Sequence, residues 1–217
     1  MGSITRSLAN NITTSGVILP AGITNSSVSA VTSFANASGG TLILLSTQTA
    51  SSSATISFTT GLDSTYDEYQ FHFINVRPAT DNTTFLYNLS TDGGSNYNVT
   101  KTETNFRAYH FEDDSATSLA YLGGVAQSSS FGTLNNTIGN GADENACGVF
   151  TIFNPSSTTY VKHFISCVNS YNGSNVSEEG FTAGYGNTTS AVNAVQFKMS
   201  SGNITDGVFK LYGVKKS

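Results

Sequence analysis

The side chains best suited to chemistry are three histidines, two cysteines and a few acidic clusters. Catalysis would need several of them to converge with tuned proton affinities. His72 stands between Phe71 and Phe73, His110 between Tyr109 and Phe111, and His163 between Lys162 and Phe164. Each alternates with apolar neighbours, as a strand residue pointing off a core does. None has the i, i+4 partner of a helical metal site. The many serines include no Gly-x-Ser-x-Gly elbow for a hydrolase nucleophile. A Gly-x-x-x-x-Gly-Lys phosphate loop and a dinucleotide fingerprint are also missing.

Glu112-Asp113-Asp114, Asp143-Glu144 and Asp92 offer hard oxygens, but none follows the alternating twelve-residue loop that holds calcium. They read as solvated loop charges. Two carboxylates brought together from distant strands would serve a glycosidase and leave no linear motif. Trp, a common sugar-stacking residue, is absent. The expectation is a protein with no catalytic residue, no metal and no cofactor. Cys147 and Cys167 lie in the apolar runs Ala146–Phe150 and Phe164–Val168. They are expected to be buried small hydrophobes, with a disulfide between neighbouring strands as the alternative.

Strands must position these residues. Glu68–Val76 alternates Tyr69, Phe71 and Phe73 with Gln70 and His72, and Phe85, Tyr87 and Leu89 repeat the pattern. A period of two with polar partners marks a half-buried antiparallel strand. Further strands are expected at Thr41–Thr47, Thr55–Thr59, Thr104–Phe111, Leu119–Leu122, Cys147–Phe153, Thr159–Val168, Gly180–Gly184, Ala191–Lys198 and Gly207–Val214. Arg77–Asn82 and Thr91–Asn96 read as turns. Ser200-Ser201-Gly202-Asn203 should close a hairpin between the last two strands, and Asn135–Asn145 reads as a polar surface loop. Roughly eleven short strands and no helical stretch predict an all-β, antiparallel, jelly-roll-like sandwich over residues 41–217.

Residues 1–40 differ. Leu8, Ile12, Val17, Ile18, Leu19 and Ile23 are spaced irregularly among Ser, Thr, Asn and Gly. With no period to support a core, this segment reads as an extended N-terminal arm that docks onto a partner.

Only 11% of the 217 residues are charged, against roughly 25% in an ordinary soluble domain. The 14 Phe and 10 Tyr argue against disorder. Net charge is −5 with no basic patch beyond Lys215–Lys216, so nucleic acid is not expected as a partner. The longest apolar stretch, Leu42–Leu45, is too short to cross a bilayer, and Met1–Arg6 has no secretory h-region. Neither membrane insertion nor export is anticipated. Asn-x-Ser/Thr sequons such as those at Asn82, Asn98 and Asn187 follow from the composition.

Three segments carry a family likeness: Leu89–Tyr97 continuing through Asn98-Val99-Thr100-Lys101, Phe153–Phe164, and Phe197–Ile204 with the closing Leu211-Tyr212-Gly213-Val214. Over roughly Ser46 to the C-terminus, the chain resembles structural proteins of tailed bacteriophages of aquatic bacteria, cyanophages included. The resemblance implies a jelly-roll-like virion protein, used as a fibre, tail or capsid-surface component, and carries over no catalytic residue.

The expected function is that of a fibre or tail-associated host-binding component in the virion, assembled in the host cytoplasm. Its partners would be other virion proteins, sister copies in a homo-oligomer (a trimer), and a host surface glycan or protein. A capsid decoration protein and a carbohydrate-active enzyme on a β-sandwich are the alternatives.

Overall fold

The computed structural model describes residues 41–216, and the arm residues Leu8, Ile12, Val17, Ile18, Leu19 and Ile23 lie outside them. Twelve strands make up the described body: β1 (Leu42–Ser53), β2 (Ile56–Phe58), β3 (Glu68–Pro78), β4 (Thr83–Ser90), β5 (Lys101–Phe111), β6 (Thr117–Gly123), β7 (Gly132–Ile138), β8 (Ala146–Phe153), β9 (Lys162–Asn172), β10 (Val176–Gly186), β11 (Ala194–Met199) and β12 (Ile204–Val214). All pairings are antiparallel.

The strands form an eight-stranded sheet in the order β1-β12-β3-β8-β9-β10-β5-β6 and a four-stranded sheet in the order β2-β11-β4-β7. Eight of them obey one rule. β1 pairs with β12, β2 with β11, β3 with β8 and β4 with β7, as if one long hairpin had been wrapped around a core. That is jelly-roll topology. The β9–β10 and β5–β6 hairpins are additions to it: β9 pairs with the free side of β8, and β5 pairs in turn with β10. The large sheet therefore overhangs the small one beyond β7.

Alternation fills the core as expected. Phe71 and Phe73 of β3, Phe150 of β8 and Phe209 of β12 face Phe85 of β4 and Phe197 of β11, all buried. Phe197 is the hub, with ring centroids 5.3 Å from Phe71, 5.0 Å from Phe73 and 6.4 Å from Phe58, mostly edge to face. Such pairs are worth about 0.5–1.5 kcal/mol each beyond area burial.

Three expectations need correction. Ser200–Asn203 does not close a hairpin: β11 lies in the small sheet and β12 in the large one, so this turn carries the chain across the core. Asn135–Asn145 is not wholly a surface loop, because Asn135–Ile138 completes β7 and Asn135 is fully buried. Cys147 and Cys167 are neither buried nor bonded. Ala146, Phe164 and Val168 take the inward positions, so the alternating cysteines face solvent.

Candidate functional site

Beyond β7 the interior changes character. β7 is an edge strand, and an edge leaves backbone groups unpaired. Inward side chains of the added strands satisfy them. Thr182 Oγ1 donates to the Thr133 carbonyl at 2.7 Å and Ser170 Oγ to the Thr137 carbonyl at 2.9 Å. Glu103 Oε1 accepts the Thr133 N–H at 3.0 Å, and Glu178 Oε1 accepts the Asn136 N–H at 3.3 Å. In return, Asn135 Nδ2 donates to the Val168 carbonyl at 3.1 Å. Gly180 of β10 permits the approach, since a Cβ there would stand 2.7 Å from the Leu134 carbonyl oxygen.

Ionisable groups are buried in this layer. Lys101 Nζ donates to Asn88 Oδ1 at 2.7 Å and to the Ser130 carbonyl. Burial lowers its pKa to about 8, against the opposing pull of Glu103. Tyr87 donates to Glu103 Oε2 at 2.6 Å, and burial together with that carboxylate raises the phenol's pKa well above its usual value. Lys101 and Tyr87 are fully enclosed. With every partner supplied by the protein, this cluster works as a polar core.

The layer opens at one end of the overhang. A cavity of about 270 Å³ is lined there by Arg107, Tyr109 and Phe111 of β5, Glu178 of β10, Asn172 of β9 and Asn82 of the β3–β4 turn, among others. Arg107 Nη1 donates to Glu178 Oε2 at 2.7 Å, and Thr137 Oγ1 donates to the same oxygen at 3.0 Å. The guanidinium carbon lies 5.1 Å from the centroid of the Tyr109 ring. Arg107 Nε is shut off from water and has no hydrogen-bond partner. Aromatic rings and buried polar groups, Asn172 and Glu178, meet in this cavity.

The opposite face of the large sheet carries exposed apolar side chains among polar ones such as Asn169, Glu179 and Lys210. Register aligns Tyr121, Phe106, Phe181, Cys167, Val149 and His72 in one row across six strands. Phe106 and Phe181 stack with centroids 4.9 Å apart. Tyr121 and the nearby Leu119 are 72% and 73% exposed, and Ile165 and Leu44 are also exposed.

The residues singled out from sequence do not converge. His72 packs against Tyr212 with ring centroids 4.8 Å apart, His110 bonds Asp114 at 2.9 Å on the surface, and His163 packs near Tyr185 on the outer face. Burial, with the Lys210 charge, lowers the pKa of His72. Asp92 staples its own loop by accepting from Ser90 Oγ at 2.7 Å, Asn96 N at 2.9 Å and Asn96 Nδ2 at 2.7 Å. These bonds hold its pKa at about 2. Glu144 likewise accepts the Gly141 N–H at 2.6 Å. Among the described residues no group of three His, Cys, Asp or Glu side chains is placed to hold a metal ion. Sequence reasoning missed Arg107, Tyr109, Asn172 and Glu178. Their one linear signal is alternation along β5, which puts Arg107, Tyr109 and Phe111 on a common face. No family model, curated protein or solved structure matches the chain.

Proposed function

We propose that this chain is a non-enzymatic virion structural protein of a tailed phage, a fibre or tail-associated component that contacts the host. Residues 1–40 serve as its anchor, and sister copies assemble into a homo-oligomer, a trimer in the simplest arrangement. The observation that carries the reading is the exposed outer face of the eight-stranded sheet, with Phe106, Leu119, Tyr121 and Ile165 open to solvent. Soluble monomers seldom expose large contiguous apolar patches, and closed symmetric assembly covers them. The likeness to phage structural proteins supports the same reading, and a jelly roll is a common capsid and lectin scaffold. Fold alone assigns no function. A glycosidase is less well supported, because Glu178 is the only carboxylate lining the cavity and is already bound by Arg107, Thr137 and Asn136.

The test is antibody labelling of purified particles in the electron microscope. Label on tails or fibres is the expected result, label over the head favours capsid decoration, and absence from the particles refutes the proposal. Light scattering on the full chain tests the sister-copy contact. Wild type should be oligomeric and Phe106→Lys/Ile165→Lys monomeric with its melting temperature retained; a monomeric wild type refutes it.

A further inference from the structure

We propose that the cavity at the end of the overhang binds one ring of a neutral saccharide. This inference rests on the host-contact reading and names the chemistry of the contact.

The cavity exists because the β5–β6 and β9–β10 hairpins extend the large sheet past β7, leaving part of its inner face without a covering sheet. On that ledge stand Tyr109 and Phe111, with ring centroids 5.8 Å apart and planes 78° from parallel. Both are only partly buried. An aromatic face carries negative quadrupolar charge and attracts weakly positive groups, which the axial C–H bonds of a pyranose ring supply. Around the rings are planar hydrogen-bonding groups: the amides of Asn82 and Asn172, the guanidinium of Arg107 and the carboxylate of Glu178. Apolar rings with a few convergent polar groups are the general recipe of a small-molecule site.

Charge selects among ligands. Arg107 and Glu178 neutralise one another through the 2.7 Å ion pair. An acidic sugar would find no unpaired cation, and an amine would find no unpaired carboxylate. Arg107 nevertheless keeps donors in hand. It spends Nη1 on Glu178 and Nε is enclosed beyond a ligand's reach, but Nη2 has no hydrogen bond to the described residues and two N–H groups to offer. A hydroxyl oxygen accepts from such donors without bringing charge. At about 270 Å³ the space falls below the roughly 300–1,000 Å³ of drug-sized pockets and suits a single ring at the end of a glycan.

The test uses the full chain and ligand-observed NMR with the methyl pyranosides of glucose, galactose and mannose, and methyl glucuronide as the acidic control. At least one neutral pyranoside should bind saturably with Kd on the order of 1 mM, the strength of a contact worth about 4 kcal/mol. The glucuronide should bind at least about tenfold more weakly. Tyr109→Ser should weaken binding about tenfold, Tyr109→Phe should restore it, and Phe106→Ser on the outer face should leave it unchanged. Circular dichroism must show each variant folded; if Tyr109→Ser unfolds, Asn82→Ala at the rim takes its place and should weaken binding severalfold. No saturable neutral binding, preference for the glucuronide, or equal affinity in Tyr109→Ser overturns the inference. Failure here with the protein still present in virions leaves the virion role standing. Sugar binding by a protein absent from virions leaves the site and removes the role.

Discussion

Glu178 is the side chain on which the overhang depends. Its carboxylate is 1% exposed and ties three strands: β10, which carries it, β5 through Arg107, and β7 through Asn136 and Thr137. Glu178→Ala removes three bonds to one ionised carboxylate, each charge-assisted and worth up to about 1.5–3 kcal/mol, the 3.3 Å bond from Asn136 being the weakest. The ion-pair share is discounted because Arg107 is 28% exposed and rehydrates when left alone. The net expectation is a loss of about 3 kcal/mol. For a body of this size that lowers Tm by about 6–12 °C. Glu178→Gln keeps the shape, loses the charge and should fall about midway. The measurement is urea unfolding followed by far-UV circular dichroism and by tyrosine fluorescence, the chain having no Trp. Coincident transitions license a two-state free energy. A double-mutant cycle with Arg107→Met should return a coupling of at least about 1 kcal/mol. Native-state hydrogen exchange should show β5, β6 and β10 losing protection before β3 and β12. A Glu178→Ala protein within about 0.5 kcal/mol of wild type would refute the view that this carboxylate pins the added strands.

Lys101 predicts a pH effect. Its pKa falls from 10.5 to about 8 in the folded protein, chiefly through burial. Between those values the unfolded chain binds more protons than the folded one, so this group makes stability rise with pH across that window, and its penalty is fully present below it. The wild-type minus Lys101→Met difference in unfolding free energy should follow that rise, and a flat difference from pH 7 to 10 would contradict it. Cys167 predicts a slow thiol. Partial burial, then the Glu179 carboxylate at 2.6 Å, pushes its pKa up to about 11 although the residue is exposed. Iodoacetamide at pH 8 should alkylate it slowly, and Glu179→Gln should speed the reaction severalfold because the thiolate is the nucleophile. Unchanged rates would remove Glu179 as a cause.

Aromatic alternation made much of the fold legible. Tyr69, Phe71 and Phe73 point inward as their spacing implies, while His72 and His163 sit off the core. β7 was not legible, because its only large apolar residues are Leu134 and Ile138 and its remaining inward contacts are polar. The cysteines were misjudged for a related reason. In a run such as Phe164-Ile165-Ser166-Cys167-Val168, apolar side chains fall on both faces, and composition does not say which face the core takes. Ser166 is buried and Ile165 exposed, the reverse of what hydropathy suggests. The cavity residues were harder still: Arg107 and Glu178 are 71 positions apart and meet only because β5 and β10 pair.

The sequence by itself determined that the chain forms short antiparallel strands around aromatic side chains, because a period of two and abundant Phe and Tyr leave few other ways to leave water. Tertiary structure alone decided which sheet each strand joins, that the β11–β12 turn crosses the core, and that a polar layer and a cavity form beyond β7. Those outcomes depend on register between distant strands. A buried Glu, Lys or Asn is tolerable only where the fold delivers its partners, and no local pattern announces where that will be.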